Sequence, residues 1–143
     1  MALVAEPLQL ADPVISQVET LAPPLLNQII ELEDACFLPC ERLGPFTMQQ
    51  QALQRTSGLL LAEMCAPARG YLISVTTAPH SPHRHRARVS RRGTTLSGYL
   101  LFSRSATAGL ITKLAVSVAF RRCGIGSALL RRGIQELERP ARR

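Results

Sequence analysis

The chain has 143 residues, 46% of them hydrophobic, and a mean hydropathy of +0.09. That length suits one domain around one core, and that apolar content argues against a disordered chain. No run of 18 or more apolar residues is present, so no transmembrane helix is expected. The four cysteines (Cys36, Cys40, Cys65 and Cys123) show no C-x-x-C spacing, which favours reduced thiols over a disulfide-dense scaffold. The net charge of +7 conceals an asymmetry: residues 1–64 hold eight acids and two bases, whereas residues 65–143 hold two acids and fifteen bases. Sixteen of the seventeen basic residues are arginine, the side chain suited to bidentate phosphate pairing. A basic half of this kind serves nucleic acid, an anionic membrane or a phosphate-rich cofactor, or is plain solvated surface.

In chain order, residues 1–17 carry Glu6 and Asp12 and no base, unlike a signal or transit peptide, so a cytoplasmic protein is expected. Residues 1–24 read as an extension ending in Ala22-Pro23-Pro24, a helix stop and start signal. Leu25 to Phe37 reads as an amphipathic helix, with Leu25, Leu26, Ile29, Ile30, Cys36 and Phe37 on the apolar side and Glu31, Glu33 and Asp34 on the other. After the Leu43-Gly44-Pro45 loop, Thr47 is the expected N-cap of a second helix, Met48 to Arg55, stopped by Ser57-Gly58. Leu59 to Met64 reads as a buried strand, with a short strand expected at Tyr71 to Thr76. A basic loop rich in Pro, His and Arg is expected at about 77–95. Strands follow at Leu96 to Ser103 and Gly109 to Val118, with a turn at Ala106 to Gly109, and a helix runs from Gly124 to Leu137. Residues 139–143 form a basic tail. The mixture of helices and strands indicates an α/β or α+β fold.

His80, His83 and His85 form a cluster, but the surrounding arginines would repel a cation, so no metal site is expected. The same loop offers charge for RNA or a ribosome surface. It lacks interleaved aromatic residues for base stacking, so no specific nucleic-acid recognition is expected.

The segment from Gly109 to Leu130 carries the chemistry. A strand runs into a short loop and then into a glycine-bearing helix start. Such a start offers unpaired N–H groups and a partial positive charge, which together make an anion site. Gly124 and Gly126 allow a phosphate to approach the backbone, and Arg121 and Arg122 add charge beside it. A diphosphate ligand follows from these residues alone. The dinucleotide-binding alternative requires its glycines early in a βαβ unit, whereas these lie near the end of the sequence.

The spacing Arg121-x-x-Gly124-x-Gly126 resembles the Q/R-x-x-G-x-G/A signature of the GNAT N-acetyltransferase superfamily. Leu114-Ala115-Val116 resembles that family's fourth strand, and Ser127-Ala128-Leu129-Leu130 its third helix. Within the superfamily the segment is most similar to protein N-terminal acetyltransferases, including the ribosomal-protein alanine type. The resemblance implies a GNAT-like mixed sheet flanked by helices, with residues 25–138 as a partial domain. It implies acetyl-CoA as co-substrate, and an amine acceptor such as a protein or peptide N-terminus. It implies that the backbone of Leu114, Ala115 and Val116 pairs with the pantetheine arm. It implies that the backbone from Arg122 through Cys123, Gly124, Ile125 and Gly126 to Ser127 cradles the diphosphate, with Arg121 alongside. It also implies a fifth strand and a tyrosine-bearing segment after the last helix, which this sequence lacks. Leu110 stands where many relatives carry Glu or His, so the resemblance assigns no catalytic residue here. A remnant that binds CoA or a protein partner without turnover is the alternative reading.

Overall fold

The computed structural model describes residues 12–65 and 94–140. Four strands, β1 (Val14–Gln17), β2 (Ser57–Cys65), β3 (Thr94–Arg104) and β4 (Gly109–Val116), form one sheet in the order β1-β2-β3-β4. Each neighbouring pair is antiparallel. Three helices, α1 (Pro23–Cys36), α2 (Pro45–Ala52) and α3 (Ile125–Glu138), flank it. The α+β class read from the sequence is therefore observed, and the described sheet is antiparallel throughout.

The central strands β2 and β3 are buried on both faces, which is why they read as apolar runs instead of alternating ones. Leu59, Leu61, Tyr99, Leu101 and Ala115 face α1 and α2, where Ile29, Leu32, Met48 and Ala52 meet them. Leu60, Ala62, Leu100 and Phe102 face α3 and pack on Ile125 and Leu129. The result is helix, sheet and helix in three layers. Small residues set the closest approaches: a Cβ on Gly98 of β3 would lie 2.7 Å from the Ala115 carbonyl oxygen, and one on Gly133 of α3 would lie 2.9 Å from Leu100.

Several boundaries differ from the sequence reading. Val14–Gln17, placed in the extension, pairs with residues 60–63 of β2 and makes an edge of the sheet. Its mostly exposed side chains give no apolar alternation to detect. Helix α1 takes both prolines into its first turn, where their missing N–H groups cost nothing, and the Ala22 carbonyl accepts from Leu25 and Leu26. Helix α2 begins at Pro45 after an N-cap at Gly44, not at Thr47, and ends at Ala52. Ser57 and Gly58 do not stop a helix; they open β2. Gly58 lies under the Phe102 ring, where a Cβ would clash at 2.3 Å. Strand β4 ends at Val116, and Val118–Phe120 forms a single 3-10 turn instead of continuing it. The β3–β4 turn is closed by Ser105, whose hydroxyl accepts from the Ala108 amide at 3.0 Å.

The expected strand at Tyr71 to Thr76, the basic loop at about 77–95 up to residue 93, the histidine cluster and the last three residues of the tail lie outside the described residues. Among the described residues Cys36, Cys40 and Cys123 are free thiols, no group of side chains is arranged to hold a metal ion, and no helix is long and apolar enough to cross a membrane.

Candidate functional site

The turn between β4 and α3 forms an open depression of about 440 Å³. It is lined by Val116, Phe120, Arg121, Arg122, Gly124, Ile125, Gly126 and Ser127. Seven of the ten residues singled out in the sequence are thus brought to one place. Leu114, Ala115 and Cys123 are not in the lining. Leu114 is exposed on β4, Ala115 points into the core beneath α1, and Cys123 is exposed with its thiol on the Arg121 carbonyl. Phe120 is the lining residue that the sequence reading missed. It is buried among Leu60, Leu100 and Ile125, and so fixes the floor of the turn.

The backbone here is unusual. Arg122 has φ 67° and Gly124, the N-cap of α3, has φ 80°. A left-handed residue other than glycine costs about 1–2 kcal/mol and persists only where its surroundings impose it; such residues concentrate at ligand sites. A Cβ at Gly124 would meet no atom within 4 Å, so it would stand in the open depression. Among the described residues no side chain caps the start of α3. Within the described residues, none of the N–H groups from Arg122 to Ser127 finds a protein acceptor; the first amide to do so is that of Ala128, on the Gly124 carbonyl at 3.0 Å. Six uncapped amides around an open space, beside two arginines and at the positive end of a fourteen-residue helix, suit an anion with several oxygens.

Arg121 itself is turned away from those amides. Its Nε donates to the Val116 carbonyl at 3.1 Å, and one terminal nitrogen contacts the Cys36 thiol at 3.7 Å. The Cys36 thiol in turn donates to the same Val116 oxygen at 3.6 Å. The end of β4 is thereby tied to the last turn of α1. Strand β4 pairs only with β3, so its other edge has no strand beside it among the described residues.

Behind β4 lies a polar cluster that the sequence reading did not find. Glu33, assigned to the solvent face of α1, is fully buried. Its carboxylate accepts from the Lys113 ammonium at 2.7 Å, from the Tyr99 hydroxyl, and from the Leu43 amide at 2.5 Å. Lys113 also donates to the Glu41 carbonyl and stands 4.1 Å from the centre of the Phe37 ring. Glu33 is buried because it falls four residues after Ile29 and four before Phe37, on the apolar stripe, and three donors compensate its burial. Burial, then the hydrogen bond to Glu33 and the carboxylate's charge, push the Tyr99 phenol far above its ordinary ionisation range. Tyr99 is thus a protonated strand residue committed to Glu33. Leu110 is 60% exposed on β4 and offers no proton-transfer group.

The chain shares the fold of a solved N-acetyltransferase. Its structure matches the ribosomal-protein-S18-alanine N-acetyltransferase from Escherichia coli at a TM-score of 0.51 and 15% identity, over 87% of this chain and 60% of that one. An acetyltransferase described as of the GNAT family from Desulfovibrio desulfuricans is matched at a TM-score of 0.48 and 13% identity, over 87% of this chain and 66% of that one. The chain therefore spans less than two thirds of the length of either protein. No family model matches the sequence, and no curated protein matches it at a significant level.

Proposed function

We propose that this chain is an acetyl-CoA-dependent N-acetyltransferase that works in the cytoplasm on a protein N-terminal α-amine. The observation that carries the proposal is the run of uncapped amides from Arg122 to Ser127 around Gly124. They suit the CoA diphosphate, and the outer edge of β4 at Leu114 to Val116 suits the amide-bearing pantetheine arm running from it, with the Val116 carbonyl already engaged by Arg121 and Cys36. In the reaction the acceptor nitrogen attacks the thioester carbonyl carbon. A C–N bond forms, the C–S bond breaks, and the proton lost by nitrogen ends on the CoA sulfur. Holding amine and thioester together supplies much of the rate, and no side chain of the chain is assigned as acid or base.

The acceptor is the finer part of the proposal. The structural relative acts on a ribosomal-protein alanine, so a peptide beginning with alanine is the first acceptor to test, and ribosome association is the setting it suggests. A second reading, binding of CoA without turnover, is favoured by one observation: among the described residues, the charged side chains lining the depression are Arg121 and Arg122 alone.

Calorimetry with acetyl-CoA tests the shared part of both readings. Gly124→Glu is expected to lower affinity by more than about 100-fold, because a carboxylate would enter the phosphate position and the left-handed φ would be strained. Unchanged affinity would refute the site. Turnover of an N-terminal peptide in the presence of acetyl-CoA then separates the enzyme from the binder.

A further inference from the structure

We infer that Arg121 is a positioning residue that holds the end of β4 against the end of α1, and not a ligand of the diphosphate. The inference rests on the reading of the β4–α3 turn as a CoA site, and assigns one of its arginines a different task. Three contacts tie Arg121, Cys36 and the Val116 carbonyl together. Arg121 Nε donates to the Val116 carbonyl at 3.1 Å, its terminal nitrogen reaches Cys36 at 3.7 Å, and the Cys36 thiol donates to the same carbonyl at 3.6 Å. The guanidinium is therefore spent on a junction between the first helix and the last strand, 85 residues apart in sequence for Cys36 and Arg121. Val116 lies at the point where β4 meets the depression, so the junction sets where that strand edge stands relative to the uncapped amides. Among the described residues Arg122 makes no such contact, and is the arginine that can turn to an anion.

The two roles give opposite orders among variants. Glutamine places its amide nitrogen where arginine has Nε, so Arg121→Gln keeps the donor to Val116 while losing the charge. Lysine keeps the charge and lacks a donor at that atom. Leucine has neither. As a positioning residue, Arg121→Leu lowers CoA affinity about tenfold, the cost of one lost hydrogen bond to the backbone, and Gln restores more of it than Lys does. The dependence of affinity on salt stays the same across the series, because no phosphate contact changes. Cys36, labelled with iodoacetamide and read by peptide mass, reacts faster in Arg121→Leu than in the wild-type chain. If Lys restores affinity better than Gln, with a shallower salt dependence in the Gln variant, Arg121 holds the phosphate and the inference is overturned. If no CoA binds to any of the proteins, the proposed function fails by itself, and the Cys36 labelling rates decide the junction: equal rates in Leu variant and wild type overturn it.

Discussion

Glu33 shows how much can rest on one side chain. A carboxylate buried to zero exposure survives because Lys113, Tyr99 and the Leu43 amide all donate to it. Replacing one partner leaves the charge behind. Lys113→Met is therefore expected to destabilise the fold by about 3–5 kcal/mol in urea melts, and adding Glu33→Gln to recover a substantial part of that loss. A loss no larger in the single variant than in the double would contradict an ion pair at this place. Tyr99 gives the pH dependence. Its folded phenol ionises far above the value of about 10 found in an unfolded chain, so the unfolded state releases its proton first. The stability linked to Tyr99 is complete below about pH 10 and falls as the pH rises beyond it; Tyr99→Phe should flatten that alkaline limb in thermal melts. Glu33 was legible in principle, since its spacing from Ile29 and Phe37 places an acid on the apolar stripe. Reading acids as solvent-facing obscured it, and the donors that compensate it come from β3, β4 and the loop after α1, which no local pattern connects.

At the scale of elements, the long apolar stretches announced themselves. Leu59 to Met64, Leu96 to Ser103 and the helix Gly124 to Leu137 match the observed β2, β3 and α3 to within one or two residues at the ends, although of its apolar residues Ile125, Leu129, Leu130, Ile134 and Leu137 the structure leaves Leu130 and Ile134 exposed. The glycine-bearing helix start was legible because its left-handed backbone at Gly124 requires a residue that is written in the sequence. What failed were glycines and prolines with two meanings. Gly58 reads as a helix stop and is a packing position, while Pro45 reads as part of a loop and stands at a helix start. Gly98 shows why close approach is a property of pairs. Gly98→Ala would press a methyl carbon against the Ala115 carbonyl oxygen, separating β3 from β4 beside the site. A loss of about 1–3 kcal/mol in thermal or urea unfolding is expected, together with weaker CoA binding in the same protein. Unaltered stability would mean that the two strands can part freely.

For the whole molecule, the three-layer arrangement follows from burial on both sheet faces, but the strand order does not follow from any segment alone. Strand β1 pairs with β2 more than forty residues later, and its exposed side chains give no warning of it. The junction of Arg121, Cys36 and Val116 is likewise visible only once α1 lies across the sheet. Lys113 carries a last consequence of that arrangement. It is the one lysine in all 143 residues, and its nitrogen sits between Glu33, the Glu41 carbonyl and the Phe37 ring. A protein proposed to modify amines thus keeps its own ε-amine engaged, out of reach of self-modification for as long as the fold holds. Any acyl group found on that nitrogen would record a moment when the first helix had lifted from the sheet.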